Sequence, residues 1–152
     1  MFPESEVAYL KSQLLMRIAT VSSNSRPNVA TVGFEFDGQY LYTSCLDKEW
    51  FPKTPRYKNV KSGNKWVSLT VDDVLSLPPN PWKVRGIRVN GWAEIVERES
   101  GYQGKGEYIR ITPKVSWSWG IRGEEDSTKT VHKRLERNLL SSTDKLKLQI
   151  FR

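Results

Sequence analysis

Cysteine and histidine are almost absent from this sequence of 152 residues, which holds one of each, Cys45 and His132. A single cysteine cannot form a disulfide within the chain, and a single histidine cannot build a histidine-rich metal centre. We therefore expect neither a metal site nor cysteine–histidine catalysis. No stretch approaches the ~20 apolar residues that a membrane-spanning helix needs, and the first residues lack the basic-then-apolar order of a secretion signal. We expect a cytoplasmic protein with no membrane partner.

Familiar signatures of nucleotide binding and of catalysis are also missing. Neither Gly-x-Gly-x-x-Gly nor a Walker-type glycine loop occurs. Asp72 and Asp73 are adjacent at the end of a predicted strand, so their side chains point to opposite faces, and we interpret them as a solvated strand end. Ser44 and Cys45 have no base nearby in the sequence that could activate a nucleophile. No catalytic residue is assigned.

Positive charge is what the chain has in excess, with 24 Lys and Arg against 17 Asp and Glu and a formal net charge of +7. This charge favours an anionic partner, which is nucleic acid, an anionic membrane surface or a phosphorylated small molecule. The bias is sharpest between Lys48 and Lys65, where Glu49 is the one acid. Charge alone does not choose among these partners.

The segment from Thr54 to Val60 lies within this basic stretch, between two β-patterned runs. Arg56 and Lys58 can neutralise a phosphate, and Thr54 can donate a hydroxyl hydrogen bond. Backbone N–H groups that open a short helix after Pro55 would face the same anion. A solvated basic turn is the alternative interpretation of the same residues.

Alternating apolar residues predict a mainly β domain. Val67, Leu69 and Val71 share one face of a strand, and Asp37-Gly38 between two β-patterned runs predicts a hairpin. Gly91, inside the longest predicted strand, indicates a bulge or a close backbone approach. The β-patterned segments are 17–22, 29–36, 39–45, 66–71, 87–95, 108–111 and 115–120. About six strands at short spacing predict a small antiparallel barrel.

Two helices are predicted outside this barrel pattern. Ser5 is the predicted N-cap of a first helix with apolar Val7, Leu10 and Leu14, which would cover an end of the sheet. After Gly123 the spacing of Val131, Leu135 and Leu139 predicts an amphipathic helix. We therefore divide the chain into a barrel domain, 1–122, and a helical extension, 123–152.

An ordered set of motifs resembles the flavin-reductase-like split β-barrel of the pyridoxamine 5'-phosphate oxidase superfamily. The motifs are Arg17-Ile-Ala-Thr-Val, Pro27-Asn-Val-Ala-Thr-Val-Gly-Phe, Tyr42-Thr-Ser, Thr54 to Val60, Val71-Asp-Asp, Trp82 to Glu94, Ile111-Thr-Pro and Ser118-Trp-Gly. They span about residues 5–122 and are most similar to the short F420-dependent branch. The resemblance implies a six-stranded antiparallel split β-barrel with a few short helices.

The resemblance also implies a function, an oxidoreductase that binds FMN or coenzyme F420 and transfers hydride to or from a small molecule. Thr54, Arg56 and Lys58 match the family's phosphate-binding segment. Five further residues match strand positions that line the phosphate, the ribityl chain and the ring edge: Arg17, Thr31, Val32, Thr43 and Ser44. Four residues match regions that come from the second subunit of a homodimer with cofactor sites at its interface: Arg85, Gly86, Trp117 and Trp119.

Three departures from the family's pattern accompany this match. The chain has a longer insertion, 46–53, between the third and fourth strands, with Trp50 and Phe51 in it. Pro55 stands where the oxidases proper have arginine, and Gly86 where they have a cofactor-contacting glutamine. These differences argue against oxidation of pyridoxamine phosphate itself. The insertion is either a lid over the cofactor or an enlarged loop.

Two other functions fit the sequence. One is a flavin-binding protein without turnover. The other is a small basic barrel that binds single-stranded nucleic acid through its cations and its 6 tryptophans. The basic residues cluster in one segment whereas tryptophans fall at strand ends, which makes a nucleic-acid partner the weaker hypothesis.

Overall fold

One antiparallel sheet organises the fold, which a computed structural model describes for residues 2–80, 82–121 and 135–136. The helices are α1 (Glu4–Ser12), a short 3-10 helix (Phe51–Lys53) and α2 (Pro55–Lys61). The strands are β1 (Leu15–Val21), β2 (Pro27–Gly33), β3 (Glu35–Phe36), β4 (Leu41–Thr43), β5 (Trp66–Ser76), β6 (Lys83–Arg98), β7 (Gly106–Trp119) and β8 (Leu135–Glu136).

The strand order shows that the sheet curls on itself. Its order is β2-β1-β5-β6-β7-β4-β3, with β8 paired to β7 beside that path. β2 and β3 lie at opposite edges of this order, yet only Phe34 separates them in the chain. Two consecutive Cα atoms are about 3.8 Å apart, so the two edges must meet closely. The sheet is therefore a half-barrel, and the predicted split-barrel class is confirmed with more strands than the six expected.

Alternation along the long strands builds the core, as predicted. Val67, Leu69 and Val71 on β5 are each at most 4% exposed, and Ile87 and Val89 on β6 are fully buried. Residues two apart in a strand share a face, so these side chains line the concave inside of the sheet. Burying such aliphatic side chains contributes about 1.5–3 kcal/mol each.

The two helices close the inside of the half-barrel. Leu10 and Tyr9 of α1 and Val60 and Tyr57 of α2 belong to the buried core. The first helix differs at its start from the prediction, because Pro3 and not Ser5 is the N-cap residue and no side chain caps the helix. The expected cover over an end of the sheet is present, since Tyr9 donates a hydrogen bond to Asp73 at 3.1 Å.

β7 is one continuous strand where the sequence predicted two. Pro113, which cannot donate a ladder hydrogen bond, faces Gly91 where the register shifts between Asn90 and Gly91. Proline in a sheet is tolerated at such irregularities. A Cβ atom on Gly91 would lie 2.6 Å from the carbonyl oxygen of Thr112. The predicted bulge and the close backbone approach are thus both present.

The predicted hairpin at Asp37-Gly38 is confirmed. β3 and β4 pair antiparallel, with Glu35 opposite Tyr42. Gly38 has a φ of 103°, and the Asp37 carboxylate accepts hydrogen bonds from the backbone N–H groups of Gln39 and Tyr40 at 2.8 and 2.7 Å. Glycine and aspartate are therefore both required by this turn.

The predicted helical extension, 123–152, lies outside the described residues except at two positions. There Leu135 and Glu136 form β8, which pairs with Val115 and Ser116 of β7. Helix was the wrong prediction for these two residues, because sheet pairing outweighs the helical spacing of apolar residues. No helix in the described part of the chain is long and apolar enough to cross a membrane.

Candidate functional site

The basic segment folds as the start of α2. Thr54 is the N-cap residue and is 3% exposed. Its hydroxyl accepts a hydrogen bond from Tyr57 N–H at 3.4 Å and donates one to the Phe51 carbonyl at 2.7 Å. Pro55 occupies the first helical position, where its missing N–H costs nothing. Thr54 therefore fixes where the helix begins, and its one hydroxyl hydrogen is used inside the fold.

Arg56 places a cation on the first turn of α2. Its guanidinium carbon lies 5.4 Å from the centre of the Phe51 ring, a cation–π contact. Its Nε atom is buried and has no hydrogen-bond partner among the described residues. A buried donor left unpaired costs about 1–3 kcal/mol, so this atom is suited to an anionic partner supplied from outside the chain.

Lys58 is directed elsewhere. Residues two apart on a helix with 3.6 residues per turn point about 200° apart, so Lys58 and Arg56 lie on nearly opposite sides of α2. Lys58 is exposed and lines a cavity of about 260 Å³ together with Pro52, Tyr57, Lys61 and Ser62. The two cations matched to the phosphate segment thus provide charge on two sides of the helix.

Tyr57 anchors α2 to the start of β7. Its hydroxyl lies 2.8 and 2.9 Å from the two carboxylate oxygens of Glu107. Burial, followed by this hydrogen bond to a carboxylate, raises the pKa of the Tyr57 hydroxyl above its usual range. The tyrosine therefore stays protonated at neutral pH and donates to Glu107.

Thr43 and Ser44, at the end of β4, are buried and hydrogen-bonded within the chain. Thr43 Oγ1 donates to the Gly33 carbonyl at 2.8 Å, and Ser44 Oγ donates to the Glu107 carbonyl at 2.7 Å. Ser44 N–H donates to the hydroxyl of Tyr102 at 3.0 Å. In this structure both residues support the framework beside α2, and neither has a spare donor in these groups.

Sequence reasoning missed Tyr102, which holds this framework together. Its hydroxyl also donates to the Gly33 carbonyl at 2.7 Å, and its own N–H donates to Glu35 at 2.9 Å. Gly33 leaves room for the ring, since a Cβ atom there would lie 3.1 Å from it. Tyr102 is contributed by the glycine-rich loop after β6, and no local pattern indicates its partners about 60 to 70 residues away.

Three of the predicted site residues lie in one cross-strand row on the outer face of the sheet. The pairings place Arg17 opposite Thr31 on one side and opposite Thr70 on the other. Thr70 in turn faces Arg88, and Arg88 faces Trp117. Val32 is next to Thr31 in β2 and so points inward, where it is 7% exposed.

Both cations of this outer row already have partners. The Arg17 guanidinium lies 2.5 Å from Asp72, and both side chains remain well exposed. The Arg88 guanidinium carbon lies 4.2 Å from the centre of the Trp117 ring. The prediction that Asp72 and Asp73 are merely solvated was wrong, because each forms an ion pair across strands.

Gly86 and Trp119 are neighbours across β6 and β7. A Cβ atom on Gly86 would lie 2.4 Å from the Trp119 ring and 2.8 Å from the Val71 carbonyl oxygen. These distances are far shorter than van der Waals contact, so only glycine allows the indole to rest there. The absence of a side chain at position 86 is therefore required by the fold.

Arg85 lies on the face opposite Gly86, beneath α1. Its guanidinium forms two hydrogen bonds with the Asp73 carboxylate, at 2.8 and 2.9 Å, and lies 4.9 Å from the centre of the Tyr9 ring. These hydrogen bonds hold the pKa of Asp73 below its usual range. They also raise the pKa of Arg85. The structure thus separates Arg85 from the tryptophans.

Eight of the twelve predicted site residues form two groups within one chain. The outer row joins Thr31, Arg17 and Trp117, whereas Thr43, Ser44 and Thr54 to Lys58 surround the start of α2. Thr31 and Trp117 are four strand spacings apart, about 19 Å along the curled sheet. One ring system bound to one chain cannot contact both ends of this row.

A half-barrel with a cation, Arg56, on α2 places this chain in a class of small β-barrel proteins. Comparison of its sequence with known families identifies which family. The family model of pyridoxamine 5'-phosphate oxidase matches residues 2–119. The chain therefore belongs to the pyridoxamine 5'-phosphate oxidase family.

Individual relatives agree with this assignment. A 5a,11a-dehydrotetracycline/5a,11a-dehydrooxytetracycline reductase of Streptomyces rimosus subsp. rimosus is 30% identical over 126 residues, which are 81% of this chain and 86% of the relative. A solved structure of an F420 reductase is similar with a TM-score of 0.55 and 26% identity, over 76% of this chain and 98% of that chain. An FAD binding protein from Mycobacterium smegmatis shares the fold, with a TM-score of 0.56 and 17% identity over 76% of this chain and 92% of that chain.

Proposed function

We propose that this protein is a flavin- or deazaflavin-dependent oxidoreductase. It would bind FMN or F420 between two copies of the chain and transfer hydride to or from a small organic molecule. Family membership and the reductases among its relatives support this reaction class.

Arg56 is the observation that carries the proposal. Its guanidinium is held in place by Phe51, and its buried Nε has no partner among the described residues. A phosphate oxygen would accept a charge-assisted hydrogen bond from this atom. The residues present therefore fit the phosphate of FMN or of F420.

The homodimer is proposed from the length of the outer row. A second copy would bring its own Trp117 and Trp119 to the side of Thr31 and Arg17 that one chain leaves open. The end of β5 and the hairpin after it support such an interface, because Val74, Leu75, Leu77 and Trp82 are 49 to 59% exposed. A patch of this kind is typical of a protein–protein contact.

A bound flavin or deazaflavin supplies the hydride chemistry itself. The chain contributes binding and orientation, with Arg56 on the phosphate and tryptophans as walls against the flat ring. This division of roles agrees with the sequence, in which no acid–base pair was assigned. The ion pair of Arg17 with Asp72 would then keep Arg17 in register beside the ring.

The cavity beside α2 bears on the choice of cofactor. FMN carries one phosphate, whereas F420 adds a phosphate-linked tail with carboxylates. Lys58 and Lys61 line the same cavity on the side of the helix away from Arg56. We therefore propose F420 as the preferred cofactor, with Arg56 on the phosphate and the two lysines near the tail.

The experiment is a visible spectrum of the purified protein after incubation with FMN or F420 and removal of free cofactor. Retention of F420 over FMN, with Lys61→Gln weakening F420 only, supports the assignment. Retention of FMN alone overturns the F420 choice and leaves the flavin-dependent class intact. If neither chromophore stays with the protein, the proposed function is wrong. Turnover with a reduced cofactor then separates an enzyme from a binding protein without turnover.

A further inference from the structure

The insertion between β4 and α2, residues 46–53, is a well-defined turn. The Asp47 carboxylate accepts hydrogen bonds from the N–H groups of Glu49 and Trp50 at 3.0 and 2.9 Å. The Asp47 carbonyl accepts another from Phe51 N–H at 3.0 Å. Such side-chain-to-backbone bonds define an Asx turn. The insertion therefore presents its side chains in fixed directions.

This turn contacts the candidate site around α2 on two sides, at Ser44 and at Arg56. On one side the Lys48 ammonium donates to Ser44 Oγ at 3.3 Å and lies 5.2 Å from the centre of the Tyr108 ring. On the other side Phe51 is 1% exposed and supports the Arg56 guanidinium. Residues 46–53 thus lie between the end of β4 and the proposed phosphate cation.

Trp50 is the exception in this anchored turn. It immediately precedes the buried Phe51, yet 56% of Trp50 is exposed, and Leu46 is 83% exposed. An indole buries up to about 250 Å² when it finds a partner, and aromatic pairs gain further from stacking. This turn holds its largest apolar side chain in solvent, next to the Phe51 that supports the proposed phosphate cation, so one face of the indole is open to a flat ligand.

We infer that Trp50 binds the substrate, and that the substrate carries a planar, fused-ring apolar system which stacks on the indole. This inference rests on the proposed function, because the substrate's ring system must lie next to the cofactor to exchange hydride with it. Trp50 would then set specificity by favouring extended flat molecules over small aliphatic ones. Arg56 would hold the cofactor independently of Trp50.

The test measures binding of anthraquinone-2-sulfonate, a water-soluble planar three-ring quinone, to full-length protein loaded with its cofactor. Equilibrium dialysis compares the wild type with Trp50→Ala, Trp50→Phe and Leu14→Ala. Leu14 is the control, because it is an apolar side chain that is 79% exposed but lies between α1 and β1, away from the proposed interface. We expect about a tenfold weaker affinity for Trp50→Ala, a smaller loss for Trp50→Phe, and no change for Leu14→Ala.

Cofactor absorbance on the same samples separates this inference from the proposed function. Wild-type protein that holds cofactor but does not bind the quinone overturns the inference alone. So does equal binding by Trp50→Ala and Leu14→Ala. Conversion of a dimer to a monomer by Trp50→Ala would place Trp50 in the subunit interface and also overturn it. Loss of cofactor binding by the wild type would contradict the function on which the inference rests.

Discussion

Replacing Arg56 by methionine should have opposite effects on the stability of the protein and on cofactor binding. Methionine keeps an unbranched side chain but removes the buried Nε, which has no partner among the described residues. Removing that unpaired donor stabilises the cofactor-free protein by about 1–3 kcal/mol. The cation–π contact with Phe51, at 5.4 Å, is lost in the variant, and this loss offsets about 0.5–1 kcal/mol of that gain in stability. We therefore expect the free energy of unfolding to rise by about 1 kcal/mol.

The affinity for cofactor should fall in the same variant. A hydrogen bond between charged groups contributes about 1.5–3 kcal/mol, so Arg56→Met should weaken binding of FMN or F420 by about 10- to 150-fold. A purely structural arginine would produce no such divergence, because its removal would change folding and binding in the same direction.

Two measurements check this prediction. Urea denaturation of cofactor-free protein gives the free energy of unfolding, and fluorescence titration gives the cofactor affinity. Lys58→Met is the matched control, because Lys58 lies on the other side of α2, and we expect less than about a threefold effect on FMN affinity. An Arg56→Met protein that folds normally and binds cofactor within about twofold of the wild type would refute the assignment of Arg56 to the phosphate.

Three further predictions concern the framework of the site. In Gly86→Ala the new methyl would lie 2.4 Å from the Trp119 ring, so urea denaturation should show a loss of about 1–3 kcal/mol; a loss under about 0.5 kcal/mol contradicts this. The pKa of Asp73 is lowered by its hydrogen bonds with Arg85. The stability that the ionised Asp73 carboxylate gives the fold is therefore present above the unfolded pKa near 3.9, and it is lost as the pH falls through the lower folded pKa. Stability of the wild type should therefore fall more steeply than that of Asp73→Asn in acid, and parallel curves would exclude the effect. Tyr102→Phe removes the hydroxyl that joins two backbone groups, so hydrogen exchange at the freed amide should accelerate; unchanged protection would be inconsistent with that role.

Much of the core could be predicted from the sequence because a strand has a fixed period. Val67, Leu69 and Val71 alternate with polar residues, and the period of two alone assigns them to one buried face. The hairpin at Asp37-Gly38 was equally local, since both residues are required by the conformation of the turn. Gly91 likewise indicated a bulge before the strand pairing was known.

Contacts between distant residues could not be predicted in this way. The sequence predicts a solvated strand end at Asp72 and Asp73. Their ion-pair partners, Arg17 and Arg85, lie on neighbouring strands and are determined by the register of the sheet. Whether Arg56 and Lys58 share one phosphate also depends on the helix, because α2 turns two such neighbours to opposite sides. A sequence motif records which cations are present but not the direction in which each of them points.

The proposed function depends most directly on a cofactor site shared by two copies of the chain, and mixing two variants tests this. Arg56→Met removes the proposed phosphate cation, and Trp117→Ala removes the wall proposed to come from the other copy. Each variant alone should bind cofactor weakly. Unfolding and refolding them together should restore tight binding to about a quarter of the sites, because a mixed dimer has one site with both residues intact. No recovery in mixed dimers, with each variant folded, would contradict the shared site.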